Sequence, residues 1–486
     1  MVSQPTIIKS IIQTPKMKKN KGILFVIILI AVLHCKAQQN ILVELGEADF
    51  INMVKQNHPI AKQAKLISQS AEANTLLSKG SFDPKLFYDY RNKNYYGTQY
   101  YKTENAGLAI PSWYGIDFKV GFENNYGDFI NNENKTPKNG LFYSQISVPL
   151  AQGLMIDERR AALKKAELAK SSSEYEKNTM MNELLGKAFK AYWDWQLSYR
   201  NLTILKNSIN IAQQRLFATI QMVNLGDRPA VDTVESSIQL QERKLSFEQA
   251  KMDFQNKSLA LSNYLWTDNN IPLEITEKLI PESTENDSLF NKIKRNSKKQ
   301  FNDEIVNQHP DMMLYTYKIK QLNIDKKLKE DKLKPNINVN YNPLSNSMNT
   351  FSWNNYKWGF TFGFPVLLRK ERGELKMTKI KITNTELENS NKRNEIINKY
   401  KTALNELISY QQQYELYSKT VENYESLWLS EKKIFDSGES SLFMINSREM
   451  NLINAELKKN ELLIKNIKAS IEIDYSLGLL SNRYQP

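Results

Sequence analysis

Two histidines stand in the same local setting, because each is followed directly by a proline, as His58-Pro59 and His309-Pro310. A histidine can ligate a metal or act as a general base, but both roles need further ligands or a nucleophile nearby. Neither an HExxH pattern nor a glycine-rich phosphate loop accompanies either residue. Proline suits the first turn of a helix, so we interpret each histidine as the start of a helix. The sequence predicts no catalytic residue, no metal site and no cofactor.

The only cysteine, Cys35, lies at the end of a segment that is typical of a secretory signal peptide. Lys18, Lys19 and Lys21 lie just ahead of an apolar run, residues 23–33, and the small residue Ala37 follows it. This run is too short for a membrane-spanning helix, which needs roughly 20 residues. We therefore predict that residues 1–37 are a signal peptide with an extended N-terminus. A lipid anchor on Cys35 is the alternative.

Removal of this leader takes six lysines away, so the formal charge falls from +13 to 13 − 6 = +7. A start at Met17 in place of Met1 leaves that value unchanged. The remaining chain has no cysteine, which excludes disulfides and thiolate chemistry. Its lysines are interleaved with acids along the predicted helices, which argues against nucleic-acid binding. With so few candidate groups, an exported hydrolase is also disfavoured.

The elements that carry these residues form two copies of one plan. Five landmarks recur in the same order: His58 as His309, Pro84 as Pro335, Tyr90 as Tyr341, Pro149 as Pro365, and Gly226 as Gly438. Each half is predicted to contain a short helix, an aromatic strand region, a long helix, a glycine turn and a medium helix. The first strand region is 35 residues longer, since Tyr90 to Pro149 spans 59 residues and Tyr341 to Pro365 spans 24. We expect this insertion to be a loop or an added hairpin.

We predict a first structural repeat over residues 38–267, a linker segment over 268–299 and a second repeat over 300–486. In the first repeat the predicted elements are a short helix, strands within 85–150, a long helix at 154–224 and a helix at 230–266. In the second repeat they are a helix at 310–333, strands within 337–365, a long helix at 374–437 and a helix at 442–479. The long helices carry apolar residues every seven positions, which predicts coiled-coil packing. Their lengths are roughly 105 and 96 Å, too long for a compact domain.

The strand regions are rich in aromatic residues with partial alternation. Phe360, Phe362 and Phe364 alternate with Thr361 and Gly363, as in a strand with one lipid-facing side. A small soluble sheet is the alternative. We predict four strands per chain, too few to close a barrel, and open edges cannot face lipid. The sequence therefore predicts an oligomer, and three copies would supply twelve strands.

The order and spacing of these landmarks resemble the TolC-type outer-membrane efflux protein family. The resemblance covers essentially the whole chain after the leader. It implies a mainly α fold with membrane β, in which a homotrimer forms a β-barrel in the outer membrane and an α-helical barrel in the periplasm. The segment 268–299 would lie in an equatorial belt. The implied function is the exit duct of a tripartite efflux or secretion system, with a periplasmic adaptor, an inner-membrane pump and outer-membrane lipid as partners.

The resemblance also implies that the turns between helices form the entrance and bind the adaptor. The corresponding residues are Leu225, Gly226, Asp227 and Arg228 in the first repeat, and Ser437, Gly438, Glu439, Ser440 and Leu442 in the second. Some members narrow the entrance with aspartates after the second turn, where this chain has Met444 and Ser447. Asp232 in the first repeat is then the candidate gate residue. Helix capping and the helix dipole are the alternative explanations for the glycines and for Asp232.

The junction prolines, Pro149 and Pro365, are predicted to let each strand bend into its long helix, with plain strand termination as the alternative. A second function remains open. An exported periplasmic coiled-coil scaffold without channel activity would explain the heptads and the leader, but it does not explain aromatic strands at equivalent places in both halves.

Overall fold

The computed structural model describes residues 43–275, 278–282, 290, 303–348, 350, 352 and 354–482. The predicted leader lies outside the described residues, as does much of the linker segment 268–299.

The described chain is mainly helical. Its helices are α1 (Glu47–Asn57), α2 (Pro59–Lys79), α3 (Glu158–Asn224), α4 (Val231–Ser262), α5 (Asp303–Asn307), α6 (Pro310–Asp331), α7 (Arg369–Asp436) and α8 (Leu442–Ser476). Its strands are β1 (Val43–Leu45), β2 (Lys85–Tyr95), β3 (Thr98–Pro111), β4 (Asp117–Tyr126), β5 (Leu141–Pro149), β6 (Leu279–Pro281), β7 (Asn336–Ser345) and β8 (Tyr356–Gly363). None of these helices is long and apolar enough to cross a bilayer.

The two long helices, α3 and α7, have 67 and 68 residues and are each roughly 100 Å long. Helix α3 begins at Glu158 because the side chain of Asp157 accepts a hydrogen bond from the Arg160 N–H at 2.8 Å and caps the helix. Helix α7 begins at Arg369, five residues before the predicted Glu374. Shorter helices pack along each of them, α2 and α4 against α3, and α6 and α8 against α7.

The main hydrophobic core lies where α3, α7 and α8 meet α1. Trp195, Leu407 and Leu463 are almost fully buried there, and Trp195 and Leu407 lie in the two long helices that the seven-residue spacing predicted. The short strands β1 and β6 pair in parallel close to this core. The hydroxyl of Tyr192 donates a hydrogen bond to the Leu45 carbonyl oxygen at 2.9 Å, which ties this pair to α3. The core therefore holds both repeats together near the middle of the long helices.

One antiparallel sheet contains the remaining six strands in the order β2-β3-β4-β5-β7-β8. Within the described residues this sheet has six strands, so the predicted four barrel strands per chain are corrected to six. Strands β2 and β7 occupy equivalent places in the two repeats, as do β5 and β8. The 35 extra residues of the first repeat contain β3 and β4, so the insertion is a hairpin, as one of the two alternatives predicted. It sits inside the sheet and separates β2 from β5.

Candidate functional site

The sheet has two chemically different faces. Directly opposed residues in an antiparallel ladder lie on the same side, and the pairs Leu86↔Leu108, Leu108↔Val120 and Ile146↔Tyr341 place apolar side chains together. We call this side the apolar face. Its members include Leu86, Tyr88, Leu108, Ile110, Phe118, Val120, Phe122, Phe142, Ile146, Val148, Ile337, Val339, Tyr341, Trp358, Phe360 and Phe362.

Many of these apolar side chains lie open to the surroundings in the single chain. Leu86 is 87% exposed, Trp358 is 65% exposed and Phe362 is 62% exposed. Single exposed apolar residues are common on protein surfaces, but a contiguous band of them marks a surface that contacts another molecule or a membrane. A band that runs across six strands is of this second kind.

The opposite side of the sheet, which we call the polar face, carries small and hydrophilic side chains. Ser147 donates a hydrogen bond to Asn340 at 2.6 Å across the β5–β7 pair. Other members are Asp89, Arg91, Thr103, Asn105, Lys119, Glu123, Gln145, Asn336, Asn338, Asn342, Lys357 and Thr361. Alternation of an apolar outer side with a polar inner side is the pattern of transmembrane β-barrel strands. The strand lengths, from 8 to 14 residues, also suit a tilted crossing of a bilayer.

The sheet has two open edges. Strand β2 bonds only to β3 and strand β8 bonds only to β7 within the described residues. Unpaired backbone groups cannot face hydrocarbon, so a single copy cannot stay in a membrane as an open sheet. Because the six strands alternate in direction, β2 and β8 run in opposite directions. The β8 edge of one copy can therefore pair with the β2 edge of another in an antiparallel ladder.

The junction prolines lie at the ends of strands. Pro149 is the last residue of β5, and Pro365 follows β8 by two residues. After Pro149 the chain still bonds to strand β7 of the second repeat, since the Leu150 N–H donates a hydrogen bond to the Ile337 carbonyl oxygen at 2.8 Å. Before α7, Leu368 adopts a left-handed backbone with φ of 49°. Both prolines thus lie where a strand has ended and the chain turns toward a long helix, and their role as bends stays a prediction.

Each long helix ends in the same glycine turn. Gly226 and Gly438 have φ of 83° and 80°, the left-handed conformation that glycine adopts without a steric penalty. The N–H of Asp227 donates to the Met222 carbonyl oxygen at 2.9 Å, and the N–H of Gly226 donates to Val223 at 3.0 Å. The second turn repeats both bonds. These are Schellman motifs, so both glycines cap helices, as the alternative explanation expected, and their docking role stays a prediction.

The two turns, which we call the tips, differ in the accessibility of their predicted contact residues. Six are exposed: Leu225, Gly226, Asp227, Ser437, Gly438 and Glu439. Arg228 and Ser440 are half-buried, and Leu442 is 2% exposed because it packs with Phe435 and Ile445. A docking role for the exposed six stays a prediction, whereas Leu442 lies inside the second tip.

Arg228 connects the two tips. Its guanidinium group lies 4.3 Å from the centroid of the Phe435 ring and donates to the Ser440 carbonyl oxygen at 3.2 Å. It also pairs with Asp232 at 3.4 Å. Asp232, the candidate gate residue, is therefore one partner in a half-buried ion pair beside the tips.

A buried charge cluster that the sequence patterns did not predict lies one to two helical turns behind the second tip. Glu449 is 2% exposed, pairs with Arg215 and lies 3.9 Å from Arg243, so it joins α3, α4 and α8. Burial lowers the pKa of Arg243 from its usual value. The sequence did hold a signal. Glu449 interrupts an apolar helical stripe that includes Ile445 and Leu452, and an acid in such a position needs a buried partner.

The two histidines are helix caps, as predicted. The Nδ1 atom of His58 accepts a hydrogen bond from Ile60 N at 3.1 Å, and the Nδ1 atom of His309 accepts from Asp311 N at 3.1 Å. Burial lowers the pKa of both imidazoles. Among the described residues, no group of three or more His, Cys, Asp or Glu side chains could hold a metal ion.

Neither a protein-family model nor a curated protein sequence matches the chain. Solved structures match nearly all of it. The Campylobacter jejuni outer membrane channel CmeC is 14% identical, with a TM-score of 0.62 over 89% of this chain and 86% of that one. The Neisseria gonorrhoeae outer membrane channel MtrE, in its open state, is 13% identical, with a TM-score of 0.64 over 91% and 93%. The Vibrio cholerae outer membrane protein VceC is 10% identical, with a TM-score of 0.59 over 88% and 95%.

These matches define the class of fold. The chain has the fold of outer-membrane channels of the TolC type, which confirms the fold class predicted from the sequence. The six-stranded sheet and the long helical hairpins described above are the parts of this fold that bear on function.

Proposed function

We propose that this chain is the outer-membrane exit duct of a tripartite efflux or secretion system, a homotrimer that passively conducts substrates from the periplasm to the outside. One observation carries the proposal. A sheet with an exposed apolar face and a polar face continues directly into helical hairpins roughly 100 Å long. The apolar face would contact lipid, the polar face would line water, and the helices would extend the duct through the periplasm.

Closure of the barrel explains why several copies are needed. In the proposed trimer, β8 of each copy pairs with β2 of the next, so no edge faces lipid. The helices below the sheet then surround a common axis. Three copies agree with the trimer that the TolC-type resemblance implies, and they leave every strand antiparallel to its neighbours.

The tips form the proposed entrance and the docking surface for a periplasmic adaptor, which links the duct to an inner-membrane pump. Asp227 and Glu439 are exposed there, and each follows a glycine at the point where the chain reverses. Two acids at equivalent positions offer a regular acidic surface to a basic partner. Arg228 and Asp232 lie behind this surface and would keep the two tips in a fixed relation.

The first test separates the duct from a periplasmic scaffold. A duct stays in the outer-membrane fraction after a high-salt wash, needs detergent for extraction and is a trimer by native mass spectrometry. A scaffold would leave with the soluble fraction. A stable monomer with an intact sheet in detergent would contradict the duct.

The second test concerns the tips. Gly226→Leu with Gly438→Leu introduces side chains where φ is positive, so both turns must distort. We expect lower adaptor binding in pull-down and lower export at unchanged amounts of trimer in the outer membrane. Gly373→Leu is the matched control, because Gly373 also has open space around it but lies in α7 without a positive φ. Wild-type adaptor binding by the tip variant would leave the glycines as helix caps only.

A further inference from the structure

We infer that the inserted hairpin β3–β4 spans the outer membrane as part of the channel wall, so that each copy contributes six strands and a closed trimer has an eighteen-stranded barrel. The inference rests on the proposed function, since it assumes that the sheet is a membrane barrel. It differs from the twelve strands that four per chain would supply. The apolar face of the hairpin would contact lipid, and its polar face would line the aqueous lumen.

The hairpin has the dimensions of a membrane-spanning unit. Strand β3 has 14 residues and β4 has 10, whereas a tilted transmembrane strand needs about 9–11. Strand β3 is paired with β2 from Lys85 to Tyr95, and β4 is paired with β5 from Asp117 to Glu123. The hairpin therefore lies at the same level as the strands that both repeats share.

The hairpin also carries the two-faced pattern itself. On the apolar face, Ile110 lies opposite Phe118 and Leu108 lies opposite Val120. On the polar face, Asn105 lies opposite Glu123. A hairpin that folded into the lumen as a plug would have water on both faces and would not need an apolar side. Exposure of Val120 at 41% and of Phe118 at 39% leaves these side chains available to lipid.

Near the far end of the hairpin the apolar face becomes charged. Lys102 pairs with Glu104 at 2.8 Å, and its ammonium group lies 5.5 Å from the ring centroid of Tyr90 and 5.4 Å from that of Tyr126. Tyrosines beside a lysine are typical of the level of the lipid headgroups. The charged end of the hairpin thus marks the outer boundary of the apolar face.

Two glycines of the hairpin pack against aromatic rings from the strands on either side of it. Gly107 and Gly121 lie opposite each other on the polar face. A Cβ on Gly107 would lie 2.8 Å from the Phe87 ring of β2, and one on Gly121 would lie 2.7 Å from the Tyr143 ring of β5. Rings from both neighbouring strands therefore occupy the space above the glycines, an arrangement that compensates for missing side chains in a sheet.

Further contacts hold the hairpin on both sides. The Tyr143 hydroxyl reaches across β4 and donates to Asn105 of β3 at 2.9 Å. At the turn between β3 and β4, Trp113 stacks on Phe82 with ring centroids 4.4 Å apart. Asp117, at the start of β4, pairs with Arg159 of α3 at 3.0 Å. The inner turn of the hairpin is thereby attached to the junction between strands and helices.

A barrel with eighteen strands is wide. Barrel diameter grows roughly in proportion to strand number, so the diameter is about 1.5 times that of a twelve-stranded barrel. Barrels of 16–18 strands hold an open aqueous channel in porins. The membrane section is then wider than that of a twelve-stranded duct.

Single-cysteine variants test this arrangement in trimers reconstituted into lipid vesicles. Val120→Cys on the apolar face and Lys119→Cys on the polar face report on β4. Phe360→Cys and Thr361→Cys are the matched pair on β8, a strand that the inference does not concern. Each variant carries either an environment-sensitive fluorophore, tested against doxyl-labelled lipid, or a membrane-impermeant maleimide. The wild-type protein, whose single cysteine is Cys35, is the control for labelling at that residue.

We expect lipid to quench the Val120→Cys fluorophore as strongly as the Phe360→Cys fluorophore, and we expect the maleimide to label Lys119→Cys as fast as Thr361→Cys. Quenching at Phe360→Cys without quenching at Val120→Cys would overturn the inference and leave the proposed function standing. Absence of quenching at both positions would overturn the proposed function and the inference together. A cryo-electron microscopy map of the wild-type trimer gives a second readout, in which eighteen strands support the inference and twelve overturn it.

Discussion

The guanidinium group of Arg228, at the first tip, lies 4.3 Å from the centroid of the Phe435 ring at the end of α7. The same group donates to the Ser440 carbonyl oxygen and pairs with Asp232. One side chain therefore uses its charge, its planar stacking surface and its N–H donors to join two helical hairpins that are distant in sequence. If the tips form the entrance, this contact controls how far they can separate.

Loss of Arg228 should loosen the two tips. Arg228→Ala removes a stacked cation and a charge-assisted hydrogen bond, with an expected loss of about 1–2 kcal/mol in the association of the tips. We expect a broader distribution of distances, with a longer mean, between spin labels at positions 227 and 439, measured by pulsed electron paramagnetic resonance. Lys244→Ala, at an exposed site of α4, is the control. An unchanged distribution in Arg228→Ala would show that other contacts hold the tips.

The buried cluster around Glu449 should dominate the stability of the helix ends that carry the tips. Glu449→Gln leaves Arg215 and Arg243 without their carboxylate in a water-poor site, and loss of one partner from such a cluster costs about 3–5 kcal/mol. Urea unfolding of the detergent-solubilised protein, followed by circular dichroism, measures this loss. Glu439→Gln at the exposed tip is the matched control and should unfold almost as the wild type does. Equal stability of the two variants would contradict the importance of the cluster.

The histidine caps make stability depend on pH. Only a neutral imidazole can accept a hydrogen bond through Nδ1, and burial lowers the pKa of His58 and His309 below the usual 6.5. In His309 the effect of burial outweighs the nearby Asp311, which acts in the opposite direction. The unfolded chain therefore takes up protons first, so this stability is complete above about pH 6.5 and is lost as pH falls below it.

The paired variant His58→Asn with His309→Asn isolates this effect. Asparagine keeps a side-chain oxygen that can cap the helix, but it does not titrate near neutral pH. We expect the free energy of unfolding to fall less between pH 7.5 and pH 5 in the variant than in the wild type, with urea unfolding as the measurement. An identical pH dependence in both proteins would assign it to other groups.

Gly186 of α3 lies against the ring of Tyr475 of α8. A Cβ at this position would lie 2.8 Å from the Tyr475 ring. In an open helix, Gly→Ala stabilises by about 0.5–1 kcal/mol, but overpacking here costs about 1–3 kcal/mol. We expect Gly186→Ala to lower the melting temperature and Gly373→Ala, in open space, to raise it slightly. Addition of Tyr475→Leu to Gly186→Ala should recover part of the loss, and the absence of recovery would point to a different cause.

Most of the architecture followed from local patterns in the sequence. Heptads predicted α3 and α7, the glycines predicted the tips, and the His-Pro pairs predicted capped helix starts. The spacing between Tyr90 and Pro149 even located the insertion. These signals are readable because each depends on residues within one element, where the periods of a helix and a strand are set by backbone geometry.

The strand count and the charge contacts were not readable in this way. Lys119 and Val120 alternate in the sequence, yet only the register places Val120 beside Leu108 and shows that the hairpin lies inside the sheet. Likewise, only the tertiary structure brings Phe435 at the end of α7 against Arg228, which also pairs with Asp232. In the sequence, Glu449 is only a single acid within an apolar helical stripe. The tertiary structure places Arg215 of α3 and Arg243 of α4 beside it.

The sequence by itself determined the two-repeat plan, the long helices, their turns and the two-faced character of the strands, because these arise from spacings of a few residues along the chain. Only the tertiary structure decided that the insertion adds two strands to the interior of the sheet, that Arg228 joins the tips and that Glu449 is buried between two arginines. Those outcomes depend on which elements become neighbours and at what height they meet. That choice is set by packing between segments far apart in the chain, and no local period records it.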